Sequence, residues 1–112
     1  VRGADGGDGR RAGGTEAPPL ASTEDTELFR GLAKNARWQF PGAELTTYLF
    51  QAGTDARAWR SRGVPVYGIY PYPIDAEDLT RMHGNDERVS VESLRQGTEM
   101  IFKTLVDVAA KR

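Results

Sequence analysis

Residues 45–57 read Leu-Thr-Thr-Tyr-Leu-Phe-Gln-Ala-Gly-Thr-Asp-Ala-Arg, and the expected fold turns on them. The first six are aliphatic, aromatic or β-branched, which is the composition of a strand. Gln51-Ala52-Gly53 interrupts the run. Thr54 or Asp55 then stands where a side-chain oxygen caps a short helix carrying Ala56, Ala58, Trp59 and Arg60, with Gly63 near its end. A second strand is expected over 64–70, with Pro65 close to its start, where a missing N–H is tolerated. Strand, helix and strand in that order suggest a parallel pair in an α/β layer.

Upstream, Ser22 followed three residues later by Asp25 resembles a capping box, and Glu24, Asp25 and Glu27 place negative charge in a first helical turn. Leu28, Phe29, Leu32 and Ala36 fall at helical spacing, so a helix is expected over 24–36, before the turn signal Pro41-Gly42. Downstream, Pro71 and Pro73 force an extended exit. Residues 75–88 read as polar and irregular, with Leu79 and Met82 as inward anchors. Ser90 or Val91 opens a last helix with Leu94, Gly97, Ile101, Leu105 and Val108 on one stripe, where Gly97 suggests close packing. The expected order is helix, strand, helix, strand, loop, helix. Two strands do not complete a sheet. The rest is expected from residues outside this chain, which opens on Val1 with no signal-type segment and leaves its location undetermined.

Residues 1–19 hold six glycines, two prolines and mixed charges, too little apolar surface to offset ordering. The division is therefore 1–21, a flexible segment or the end of a preceding domain, and 22–112. Fifteen Lys and Arg against 16 Asp and Glu argue against a nucleic-acid binder, which shows a basic excess. With no cysteine and one histidine among 112 residues, thiol chemistry, disulfides and two-His metal sites within the chain are excluded. No apolar run approaches the roughly 20 residues that span a bilayer.

Three constellations can carry chemistry. Gly53-Thr54-Asp55-Ala56-Arg57 sits at an expected strand-to-helix junction, where unpaired N–H groups receive a carboxylate or a polarised carbonyl oxygen; the plainer reading is a capping turn. His83-Gly84-Asn85-Asp86-Glu87-Arg88 is a loop histidine with carboxylates close by, a metal ligand or an exposed imidazole among solvated charges. One short loop cannot direct the three protein ligands of a catalytic zinc at one ion. Tyr67, Tyr70 and Tyr72 with Trp38 and Trp59 read as packing, since the basic interleaving of a base-stacking platform is missing.

Taken together, Gly53-Thr54-Asp55-Ala56-Arg57, Gly63-Val64-Pro65-Val66-Tyr67-Gly68 with Pro71, and His83-Gly84-Asn85-Asp86-Glu87-Arg88-Val89 resemble the C-terminal signature of peptidase family M-twenty. The resemblance covers about residues 22–110. It implies part of a helix-flanked mixed sheet in a zinc-exopeptidase-like catalytic domain, and hydrolysis of N-acyl amino acids or small peptides by a metal-activated water. Two zinc ions, a small acylated substrate, no membrane partner and a homodimer formed through a lid domain are implied with it. By the same resemblance His83 is a zinc ligand, Asp55 and Glu87 are supporting residues, and Gly53, Thr54 and Arg57 border the substrate. The family's early His-x-Asp pair and its glutamate base are absent from these 112 residues, so no catalytic residue is expected here and the chain resembles an inactive fragment. The competing class is a non-catalytic α/β module that binds a carboxylate ligand or a protein partner at 53–57.

Overall fold

A computed structural model describes residues 21–49 and 53–110, and among them every regular element is helical. These are α1 (Glu27–Gln39), α2 (Ala56–Arg60), α3 (Ala76–Thr80) and α4 (Val91–Ala109). The segment expected to be flexible, 1–21, lies outside the described residues except for Ala21, as do Phe50, Gln51 and Ala52.

Helices α1 and α4 pack against each other as an antiparallel pair. Gly31 lies against Val108, Asn35 meets Asp107, and Lys103 sits 4.1 Å over the Trp38 ring. Their shared core is thin. Ala33 and Met100 are its buried apolar residues, joined by two polar ones, Asn35 and Thr104, while the buried Gly97 faces segment 71–72. Both polar side chains have partners, as burial demands: Asn35 Nδ2 donates to Gly31 O and Asp107 Oδ2, both at 3.0 Å, and Thr104 Oγ1 donates to Met100 O at 2.9 Å. Gly97 lets the chain cross α4 closely, because a Cβ there would stand 2.8 Å from Pro71 O and 3.3 Å from Tyr72 Cβ. The stripe expected on α4 is turned: Gly97 is buried and Ile101 and Val108 half-buried, whereas Leu94 and Leu105 are 52% and 56% exposed.

The caps explain the helix starts. Thr26, not Ser22, caps α1 and accepts from Phe29 N at 3.0 Å. The Ser22 hydroxyl is engaged elsewhere: it donates to Val66 O at 3.0 Å and accepts from Val66 N at 2.8 Å and from Arg60 Nε at 3.1 Å. Pro41 ends α1, and Gly42 takes a φ of 85° in the turn that follows. Ser90 caps α4 through Ser93 N, as its sequence indicates. Asp75 caps α3 through Asp78 N at 2.8 Å, so part of 75–88 is helical where irregular chain was expected, and Leu79 is 47% exposed rather than an inward anchor.

The expected α/β sheet is overturned, because no strand occurs among the described residues. Residues 43–49 and 64–70 carry no helix and do not form a ladder with each other. Hydrogen bonding gives the reason. A ladder needs the backbone N–H and C=O groups of one segment to face those of another, and at Val66 both are already taken by the Ser22 and Arg60 side chains. Segment 64–70 is instead held by side chains. Ser22 serves both backbone polar groups of Val66, and Arg60 Nη2 adds a bond to Val66 O at 2.9 Å. Tyr67 packs on Phe29 as a tilted ring pair with centroids 5.4 Å apart, and its hydroxyl donates to Thr23 O and meets Thr26 Oγ1, each at 2.6 Å. One proton arrangement satisfies the set: Thr26 donates to Tyr67, which donates to Thr23. Among the described residues no helix is long and apolar enough to cross a membrane.

Candidate functional site

At the first motif, Thr54 Oγ1 accepts from Ala56 N at 3.3 Å, and Asp55 holds the N-cap position of α2 with no capping bond from its side chain. The turn therefore closes on itself through Thr54. Gly53 is exposed, and among the described residues, its chain neighbours aside, no atom lies within 4 Å of where its Cβ would be. Arg57 is exposed on α2, while Arg60, one turn on, braces Ser22 and Val66. The helix closes at Gly63, whose φ of 76° is a left-handed form suited to glycine.

The histidine loop is built differently. His83 is exposed and has a φ of 61°, and Asp86 has a φ of 58°. Both residue types tolerate this region better than most, but two such positions in four still cost about 1–2 kcal/mol each. Arg81 offsets that cost from two sides. Its carbonyl accepts from Gly84 N at 2.8 Å, and a Cβ on Gly84 would crowd the same carbonyl at 3.2 Å. Its guanidinium, 28% exposed, bonds Glu77 from Nη2 and Asp86 Oδ2 from Nη1 at 2.8 Å, with Nε 3.8 Å from Asp78 Oδ1. Arg88 closes the ring, donating from Nε to Asp78 Oδ1 at 2.9 Å and from Nη1 to Asp86 Oδ2 at 3.2 Å. The hydrogen bond to Asp78, followed by the negative charge of Asp78 and Asp86, raises the Arg88 pKa above its ordinary value. Next to the histidine, Tyr70 Oη meets Met82 Sδ at 3.5 Å, which ties the loop to the end of segment 64–70.

Helices α2 and α3, which adjoin the two motifs, do not pack on each other. Nor does either border the open groove beside α1, about 560 Å³, which is lined by Phe29, Arg30, Ala33, Lys34, Leu45 and Thr47 among others. Among the described residues no three His, Cys, Asp or Glu side chains converge as a cation site. Glu87, the expected support of the histidine, is exposed, and the carboxylate that the fold recruits beside it is Asp86. Sequence reasoning passed over Arg81. Its signal was present, because Glu77 and Arg81 stand four residues apart on a helical turn.

Curated proteins resemble the chain over most of its length. It is 28% identical over 89 residues to an N-fatty-acyl-amino acid synthase/hydrolase of Homo sapiens, covering 78% of this chain and 18% of that protein. The Mus musculus protein of the same name is 26% identical over 90 residues, covering 79% and 18%. A probable carboxypeptidase S-like protein of Dictyostelium discoideum is 25% identical over 87 residues, covering 78% and 17%. These relatives are hydrolases by name. The chain thus spans under a fifth of the length of the curated proteins it matches. No protein-family model matches it, and no solved structure does.

Proposed function

We propose that the chain works as one portion of a peptidase-family M-twenty hydrolase acting on N-acylated amino acids or small peptides. In this reading His83 supplies one imidazole to a two-zinc centre, and Gly53, Thr54 and Arg57 border the substrate, with Asp55 and Glu87 in support. The observation that carries it is the match of nearly four-fifths of the chain to proteins named as an N-fatty-acyl-amino acid synthase/hydrolase and a probable carboxypeptidase S-like protein. The exposed imidazole on an arginine-braced turn is compatible with ligation from outside the loop.

The residues present fit one ligand position and not a whole metal site. His83 is the only histidine, and no further donors converge among the described residues. Zinc in such enzymes lowers the pKa of a bound water and polarises a carbonyl. The other ligands and the general base would come from elsewhere in the complete polypeptide, and this chain's own task is to bind and orient. The alternative, a carboxylate-binding module at 53–57, gains no support. Helix α2 has five residues, and the Ala56 N–H that would meet an anion is already given to the Thr54 hydroxyl oxygen.

The test is His83→Asn in the complete polypeptide, since Asn tolerates the left-handed backbone while removing the imidazole. Metal content by elemental analysis should fall, and turnover of an N-acyl amino acid should be abolished with the fold kept. Glu87→Gln should cost no more than roughly 10–100-fold, as for an outer partner of a ligand. Unchanged zinc content with near-normal turnover in His83→Asn would refute the reading.

A further inference from the structure

We propose that Arg81 is a positioning residue for His83, fixing the turn 82–86 in the single backbone form that holds the imidazole outward. The inference deepens the reading of His83 as a functional ligand and rests on it for its purpose, though its geometry stands alone. Two non-glycine residues with positive φ, His83 and Asp86, bracket the turn. A left-handed pair does not persist without surroundings that over-determine it. Among the described residues Arg81 reaches both ends, by its backbone at one and its guanidinium at the other. Its carbonyl holds Gly84 N next to His83, and its Nη1 holds the Asp86 carboxylate. The remainder of its guanidinium is anchored on α3, at Glu77 and beside Asp78. A rigid planar fork with several donors can reach three carboxylates lying in different directions, which a lysine ammonium on a flexible stem does poorly. Arg88 joins the same Asp78 and Asp86, so the loop's entry and exit are tied to one helix.

The experiment uses the 112-residue chain without metal and exploits its single histidine, whose imidazole gives one isolated signal in a histidine-labelled NMR spectrum. Arg81→Ala is expected to raise Gly84 amide exchange about tenfold or more and to move the His83 signal toward that of a free peptide. The α4 amides around Thr104 should keep their protection. Arg81→Lys, which retains charge, should recover part of both effects. Asp86→Asn removes the charge yet keeps a residue tolerant of positive φ, and should loosen Gly84 in the same way. Two results overturn the proposal: Gly84 exchange within twofold of wild type with an unmoved His83 signal in Arg81→Ala, or equal loss of protection at Gly84 and throughout α4 in a variant that keeps the helical circular dichroism of wild type. If Arg81→Ala does not fold, Asp86→Asn decides by the same criteria. A loop that is clamped but whose histidine never affects metal content would refute the proposed function and leave the clamp intact.

Discussion

Replacing Gly97 by Ala sets two opposed effects against each other at one carbon atom. In the middle of α4, alanine is the better helix former by about 1 kcal/mol. The added Cβ would lie 2.8 Å from Pro71 O and 3.3 Å from Tyr72 Cβ, and the first neighbour is backbone. Reaching ordinary contact near 3.4 Å requires the 71–72 segment to withdraw by about 0.6 Å from α4. Overpacking of this kind costs about 1–3 kcal/mol. Because a carbonyl cannot rotate away as a side chain can, the upper part of that range applies, and the net loss should be about 1–2 kcal/mol. For a chain of this size that lowers Tm by about 5–10 °C. The comparison is Gly31→Ala, where the new Cβ meets the Val108 and Thr104 methyls at 3.1 and 3.6 Å. Small adjustments of α4 can absorb that contact, so helix propensity offsets it and stability should change by less than about 0.5 kcal/mol. Thermal and urea unfolding followed by helical circular dichroism measure both. A Gly97→Ala variant as stable as wild type would show that residues 71–72 are not seated on α4.

Ser22→Ala removes the hydroxyl that serves Val66 N, Val66 O and Arg60 Nε, and should cost about 1–2 kcal/mol while making the Val66 amide exchange faster; an unchanged Val66 amide would refute the role given to Ser22. At the start of α4, the hydrogen bond from Arg95 holds the Glu92 carboxyl below its ordinary pKa. Its folded value is thus the lower one, so the pair's stabilisation is present above the ordinary glutamate range and is lost as pH falls through the depressed value. Titration of the Glu92 carboxyl by NMR should give a midpoint below that of a free glutamate, and Arg95→Ala should move it back up. No movement in Arg95→Ala would exclude this cause.

How much was legible depended on distance along the chain. The start of α4 was readable because its determinants, Ser90 and the Ser93 amide, are three residues apart. The cap of α1 was not. Both Ser22 and Thr26 are hydroxyl residues in plausible positions, and the choice is made by Val66, 44 residues away. Residues 45–50 and 64–70 have the composition of strands, but a strand is a relation between two backbones, and composition cannot state that no partner lies among the described residues. At the histidine loop the residue types pointed to His83 directly. The clamp was half visible, as the Glu77–Arg81 spacing is local, whereas Arg88 meets Asp78 ten residues back only after α3 has formed. The buried face of α4 was legible in part: Gly97, Ile101 and Val108 turn inward as expected, whereas Leu94 and Leu105 stay exposed and Met100 and Thr104 bury in their place.

Asp107 receives both Lys34 Nζ, at 2.8 Å, and Asn35 Nδ2, from consecutive residues of α1. Small apolar contacts such as Ala33 and Met100 would tolerate sliding of one helix along the other, for methyl groups fit many neighbours. A buried amide does not. Displacing α4 by one turn, about 5.4 Å, would carry the Asp107 carboxylate out of reach of both donors and leave Asn35 with an unanswered N–H in the least solvated part of the pair. The polar contact is thus a registration pin: it adds little to the strength of the helix pair, and it selects one alignment from several that the apolar surface alone would allow.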